Sequence, residues 1–196
     1  MTSFFDPVPA PPPEARKAWQ PPAWDRPSEG TLPAILALGE IVLQSDQLVV
    51  QLEHLGVYPN GFTIQLSIIG NPHEQPAGRS TASMVAGDGG ALAHRLRFPR
   101  VGVQFADGRV GGKAEPGISD TDRDEHGIPV QPIVRMLGGG GGANRGFRYG
   151  VWVHPLPPVG PLTIFVSLPS IDDDGSVIVD GEQIRAAAAR ASVIWS

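Results

Sequence analysis

The sequence predicts a mainly β protein: an antiparallel β-sandwich, or a partly open barrel, with one C-terminal α-helix and a Pro-rich N-terminal arm. Three observations carry this reading. Apolar residues recur with period two in segment after segment, which leaves one face of each strand wet, as antiparallel sheets allow and helix-covered parallel sheets do not. Glycine and proline are abundant, 25 and 21 of 196 residues, and they punctuate these short segments as turn residues do. Only one stretch, near residues 180–195, has helical character.

Residues 1–33 hold nine prolines, including Pro11-Pro12-Pro13 and Pro21-Pro22. Fixed φ and missing amide donors exclude helix and inner strand there, so this segment reads as an extended arm. Solvated linkers are poor in aromatics, yet Phe4, Phe5, Trp19 and Trp24 lie inside it. These four rings are candidate anchors, holding the arm either on its own domain or on a partner.

A single domain is expected over 34–196. Ala34–Leu43 reads as one strand or two. Leu48, Val50 and Leu52 alternate with Gln47, Gln51 and Glu53; Phe62, Ile64, Leu66 and Ile68 alternate with Thr63, Gln65 and Ser67. Between these runs stands Asn60-Gly61, a strong hairpin signal because both residues tolerate positive φ. Residues 70–93 read as a long loop. Short strands are expected at His94–Phe98 and at Val101–Phe105, followed by a turn at Asp107-Gly108. A second long loop, 114–130, carries the acidic stretch Ser119–His126.

Ile133–Leu137 reads as a strand that runs into five glycines, Gly138–Gly142. Phe147, Tyr149, Val151 and Val153 then alternate with Arg148, Gly150, Trp152 and His154, which places Trp152 on an outward face. Leu162, Ile164, Val166 and Leu168 form another inward set. Asp172–Gly175 is a turn and Val177–Val179 a short strand. Asp180 with Gln183 three residues later matches a capping box, and the alanine run favours helix to Trp195, with Ile184, Ala187, Ala188, Ala191 and Trp195 on one face.

Composition narrows the chemistry. The chain has no cysteine, which removes disulfides, thiolate metal sites and cysteine nucleophiles. A formal charge of −5 speaks against nucleic acid as a partner, and no apolar run is long enough to span a bilayer. Without a recognisable leader, a cytoplasmic protein is expected. Thirteen arginines against two lysines suggest GC-rich coding.

No motif assigns a reaction. The glycine run lacks the Lys-Ser/Thr of a phosphate loop and precedes a strand instead of a helix. It reads as a flexible hairpin loop, or as a site for a small anion with Arg145 or Arg148. Asp120, Asp122 and Asp124 have the spacing of the first calcium-loop ligands. Glu125 and Gln131, however, stand where that loop needs glycine and glutamate. A solvated loop is the plain reading and a weak divalent metal site the other. The five histidines are too dispersed for a local zinc motif. His54 and His94 continue apolar faces and read as core or rim residues.

Surface chemistry is basic and aromatic. Arg95, Arg97 and Arg100 lie close in sequence, Arg148 and Trp152 share a strand face, and Arg145 and His154 flank them. If these strands are neighbours, the side chains form a candidate binding patch, since Arg and Trp are enriched where partners dock. The expected function is a non-enzymatic protein–protein interaction or accessory module, with a protein partner or self-association and no cofactor. The alternative is an enzyme or ligand binder using the acidic and Gly-rich loops, with Asp120 and Asp122 acting on a polar substrate.

Several strings together resemble a set of β-rich proteins from GC-rich actinobacteria: Leu55–Phe62, Leu137 with its glycine run, Trp152–Leu162 and Ala186–Trp195. The resemblance covers most of the chain from Trp19 onward. It implies a proline/tryptophan-rich start, a β-rich body and an alanine-rich C-terminal helix. That set carries no assigned activity, so no site residue is transferred.

Overall fold

The period-two segments fold as strands, some paired with the next strand in sequence and others with strands far along the chain. The computed structural model describes residues 22–73, 99–112, 123–142, 146–168, 171 and 174–195. The elements are β1 (Thr31–Leu32), β2 (Ala34–Gln44), β3 (Leu48–Tyr58), β4 (Gly61–Gly70), β5 (Arg100–Gln104), β6 (Val110–Gly111), β7 (Ile133–Gly142), β8 (Gly146–His154), β9 (Pro161–Ser167), β10 (Asp174–Asp180), helix α1 (Gly181–Ala188) and β11 (Ser192–Val193). All pairings between these strands are antiparallel. A five-stranded sheet has the order β2-β3-β4-β8-β7, a four-stranded sheet the order β10-β9-β5-β6, and β1 pairs with β11 in a ribbon. The protein is mainly β with one C-terminal helix, and its sheets do not close into a barrel.

The inward residues of the two larger sheets meet in one core. Val50, Leu52, Phe62, Ile64 and Leu66 come from the first sheet; Val103, Leu162, Ile164 and Val166 come from the second. Each is fully buried, which stabilises the fold by about 1.5–3 kcal/mol per side chain before entropy is counted. Ile184 and Ala187 of α1 join the same core, while Asp180 caps the helix by accepting from the Glu182 amide at 2.9 Å.

Four local expectations need correction. The β3–β4 turn centres on Pro59 and Asn60, because Tyr58 pairs with Gly61, which opens β4. Glu53 is an extra residue in β3: Leu52 pairs with Leu66 and His54 with Gln65. The bulge reverses the alternation, so Leu55 and Val57 face inward and His54 shares the outer face with Gln65 instead of continuing the apolar face.

Gly138–Gly142 is not a hairpin loop. These residues are the second half of β7, paired with β8 from Gly138 opposite Gly150 to Gly142 opposite Gly146. A neighbouring strand supplies the ladder that glycine alone would not favour. The C-terminal helix ends at Ala188, because β-branched Val193 and Ile194 favour extended backbone and β1 offers them a partner. The Gly30 carbonyl accepts from the amides of Ile194 at 2.7 Å and Trp195 at 3.2 Å. The expected His94–Phe98 strand lies outside the described residues.

Candidate functional site

The outer face of the five-stranded sheet is built in cross-strand rows, and one row carries the largest side chain. Thr63, Trp152 and Arg135 stand side by side on β4, β8 and β7. Trp152 obeys the outward parity expected of it, yet it is fully buried. Residues 22–30 fold back over it as a strap. The Trp152 indole Nε1 donates to the Trp24 carbonyl at 2.9 Å, and Tyr58 meets the indole edge-on at 5.9 Å. Gly61 makes room beneath: a Cβ there would stand 2.7 Å from the Trp152 ring and 2.3 Å from the Val153 carbonyl oxygen.

Asn60, at the turn, fastens the strap. Its Nδ2 donates to the carbonyls of Ala23 at 2.5 Å and Arg26 at 2.9 Å. Its Oδ1 accepts from the Ser28 amide at 3.2 Å and the Ser28 hydroxyl at 2.8 Å. Arg135 pairs with Asp25, and the Arg123 guanidinium lies 4.7 Å above the Trp24 ring. His154 sits behind this junction, with Nδ1 2.6 Å from the Asn60 carbonyl oxygen. Burial holds its pKa below the ordinary imidazole value, and the hydrogen bond to Asn60 works against that shift.

The predicted patch is only partly gathered. Trp152 offers no open ring for stacking, since the strap covers it. Arg148 is exposed on β8 and pairs with Glu53 at 3.3 Å, the bulge having brought that carboxylate within reach. Arg100 stands on β5 in the other sheet, opposite Ser167, so it does not join Arg148. Arg95, Arg97 and Arg145 lie outside the described residues, as do Phe4, Phe5 and Trp19; Trp24 is the described arm anchor.

Asp120 and Asp122 also lie outside the described residues. Asp124 shapes its own turn: Oδ1 accepts from the amides of His126 at 2.9 Å and Ile128 at 2.8 Å. Among the described residues no group of three His, Asp or Glu side chains is placed to hold a metal ion, and no helix is long and apolar enough to cross a membrane.

One surface had no forerunner among the candidate residues. The β1–β11 ribbon and the start of β2 expose Leu32, Ile35, Val193, Ile194 and Trp195, the last at 76%. Thr31 pairs with Val193 and Leu32 with Ser192, so Val193 and Leu32 lie on opposite faces of the ribbon, and Pro33 leads directly into β2. The signal was present in Ser192–Trp195, where two consecutive β-branched residues follow the alanine run. The helical propensity of the alanine run before it masks that signal. No protein-family model matches the chain, no curated protein matches it, and no solved structure matches it.

Proposed function

We propose that the protein is a non-enzymatic binding module that docks a protein partner, or a second copy of itself, through the apolar margin at the β1–β11 ribbon. The observation that carries this reading is the exposure of Trp195, with Val193, Ile194, Leu32 and Ile35 also exposed on the ribbon and the strand it leads into. Grouped apolar side chains on a water-soluble surface mark sites of association, and tryptophan contributes disproportionately to binding there. Main-chain bonds hold the ribbon to Gly30, so the side chains are displayed on ordered backbone and bind at a smaller entropy cost.

The test is affinity purification from the native cell together with light scattering on the pure protein, using wild type and a Val193→Ser/Trp195→Ser variant. The expected result is a specific partner, or a mass above the 20.7 kDa of one chain, lost in the variant. A strictly monomeric wild type that retrieves the same proteins as the variant refutes the reading.

A further inference from the structure

We propose that Asn60 is a site of self-modification by deamidation, and that its conversion to aspartate or isoaspartate releases the strap over Trp152 for good. The site lies apart from the β1–β11 margin and owes nothing to the use of that margin. Asn60 is followed by Gly61. With no side chain on the second residue, its main-chain nitrogen closes on the asparagine side-chain carbon with least steric resistance. Packing keeps that residue a glycine, since a Cβ on Gly61 would stand 2.7 Å from the Trp152 ring. Asn71, by contrast, precedes Pro72, whose nitrogen carries no hydrogen to give up. The peptide oxygen between Asn60 and Gly61 also has a partner, His154 Nδ1 at 2.6 Å. A carbonyl oxygen only accepts, so Nδ1 carries the hydrogen and donates. Loss of the Gly61 amide proton puts negative charge on that oxygen, where the His154 N–H stabilises it.

The step is an internal acyl transfer with water in and ammonia out. Four hydrogen bonds to the strap hold the Asn60 side chain, so it turns toward Gly61 only when the strap lifts. Hydroxide then removes the Gly61 amide proton, the Gly61 nitrogen bonds to Asn60 Cγ, and the Cγ–Nδ2 bond breaks. Nδ2 takes a proton from water and leaves as ammonia, and a cyclic succinimide remains. Water opens the ring at either carbonyl, giving aspartate or isoaspartate; nothing is oxidised or reduced. The strap cannot then close as before. Nδ2 donates to the carbonyls of Ala23 and Arg26, and the carboxylate oxygen in its place has no hydrogen to give and repels both. Isoaspartate also inserts a methylene into the backbone at the turn. A transient opening of the strap is thereby made permanent.

The experiment ages the full chain at mildly alkaline pH and follows Asn60 and Asn71 by peptide mass spectrometry, separating the aspartate and isoaspartate products. Ser28→Ala removes one bond from the strap, His154→Leu in that background removes the donor to the Asn60 carbonyl, and Asn60→Asp stands for the product. Retained amide protection at Ile64 shows that each variant is folded. Asn60 is expected to convert, with both isomers formed, while Asn71 does not. Ser28→Ala converts Asn60 about threefold faster, by the factor expected for strap opening on loss of that bond. Adding His154→Leu slows the conversion about tenfold. Asn60→Asp and the aged wild type exchange the Trp152 indole hydrogen at least about 30-fold faster than fresh protein. No conversion at Asn60, equal rates in wild type and Ser28→Ala, or slow indole exchange in Asn60→Asp overturns the proposal. Equal rates with and without His154→Leu assign the reaction to the Asn60-Gly61 pair alone and overturn the role given to His154.

Discussion

Replacing Asn60 by alanine tests whether one turn residue holds the strap over Trp152. Four hydrogen bonds of 2.5–3.2 Å converge on its side chain, from Ser28 and onto the carbonyls of Ala23 and Arg26. At about 1 kcal/mol each the set amounts to about 4 kcal/mol. Asn60 and Ser28 are only half-buried, so water replaces part of what is lost, leaving about 2 kcal/mol. The reporter is the Trp152 indole N–H, which is bonded to the Trp24 carbonyl and not to Asn60. Its hydrogen exchange, followed by NMR, should accelerate about 30-fold, the equivalent of 2 kcal/mol. Ser28→Ala removes only the hydroxyl bond to Oδ1 and should accelerate it about threefold. An unchanged indole rate in folded Asn60→Ala would show that Trp24, Tyr58 and the Arg135–Asp25 pair hold the strap unaided, and the reasoning would fail.

Gly61→Ala should lower stability by about 2–4 kcal/mol in urea titration, because its Cβ meets the Val153 carbonyl and the Trp152 ring below contact distance; a loss under half a unit would show that the hairpin yields easily. His154 favours its neutral form when folded, so the unfolded chain takes up a proton more readily. Its contribution to stability is therefore intact above about pH 6.5 and falls as pH drops through its lowered folded-state value. His154→Gln should flatten that part of the stability–pH profile, and an equally steep profile in the variant would assign the slope elsewhere. Gly30 has φ +66°, and a Cβ there would stand 2.4 Å from the Trp195 carbonyl oxygen. Gly30→Ala should release the Ile194 amide to exchange while leaving Ile64 protected; retained Ile194 protection would contradict the clamp. Trp195→Ser should alter stability by less than about 0.5 kcal/mol, since the ring is mostly exposed, and a larger loss in thermal denaturation would make it a structural residue.

The features legible in the sequence are those encoded within a few residues. Phe62, Ile64, Leu66 and Ile68 face the core because alternation is a property of one strand, and Asp180 caps α1 because a cap needs only its own first turn. What misled depends on a partner elsewhere in the chain. The glycine run has no intrinsic preference for extended backbone and becomes strand because β8 lies beside it. The alanine-rich tail has strong helical propensity until β1, some 160 residues earlier by the Thr31–Val193 pairing, offers its end a ladder. The Glu53 bulge is likewise invisible locally: Leu52 and Leu55 can both face inward only with one residue added between them, and that demand comes from β4.

Trp152 shows why the candidate patch was harder to read than the fold. Its parity was correct, since it shares the outward row with Thr63 and Arg135. Parity sets the side of a sheet, whereas exposure depends on what lies over that side. The covering element is the end of the proline-rich arm, and the groups that hold it are distributed: a carbonyl at Trp24, a carboxylate at Asp25, a hydroxyl at Ser28 and one amide side chain at Asn60. None of these has a periodic signature. The same arm that hides one tryptophan continues through Gly30 into β1, where its backbone holds Trp195 at the exposed margin. Burial of Trp152 and display of Trp195 are thus linked by a few residues of chain. A perturbation that frees the whole strap should loosen both, whereas Gly30→Ala should loosen only the second.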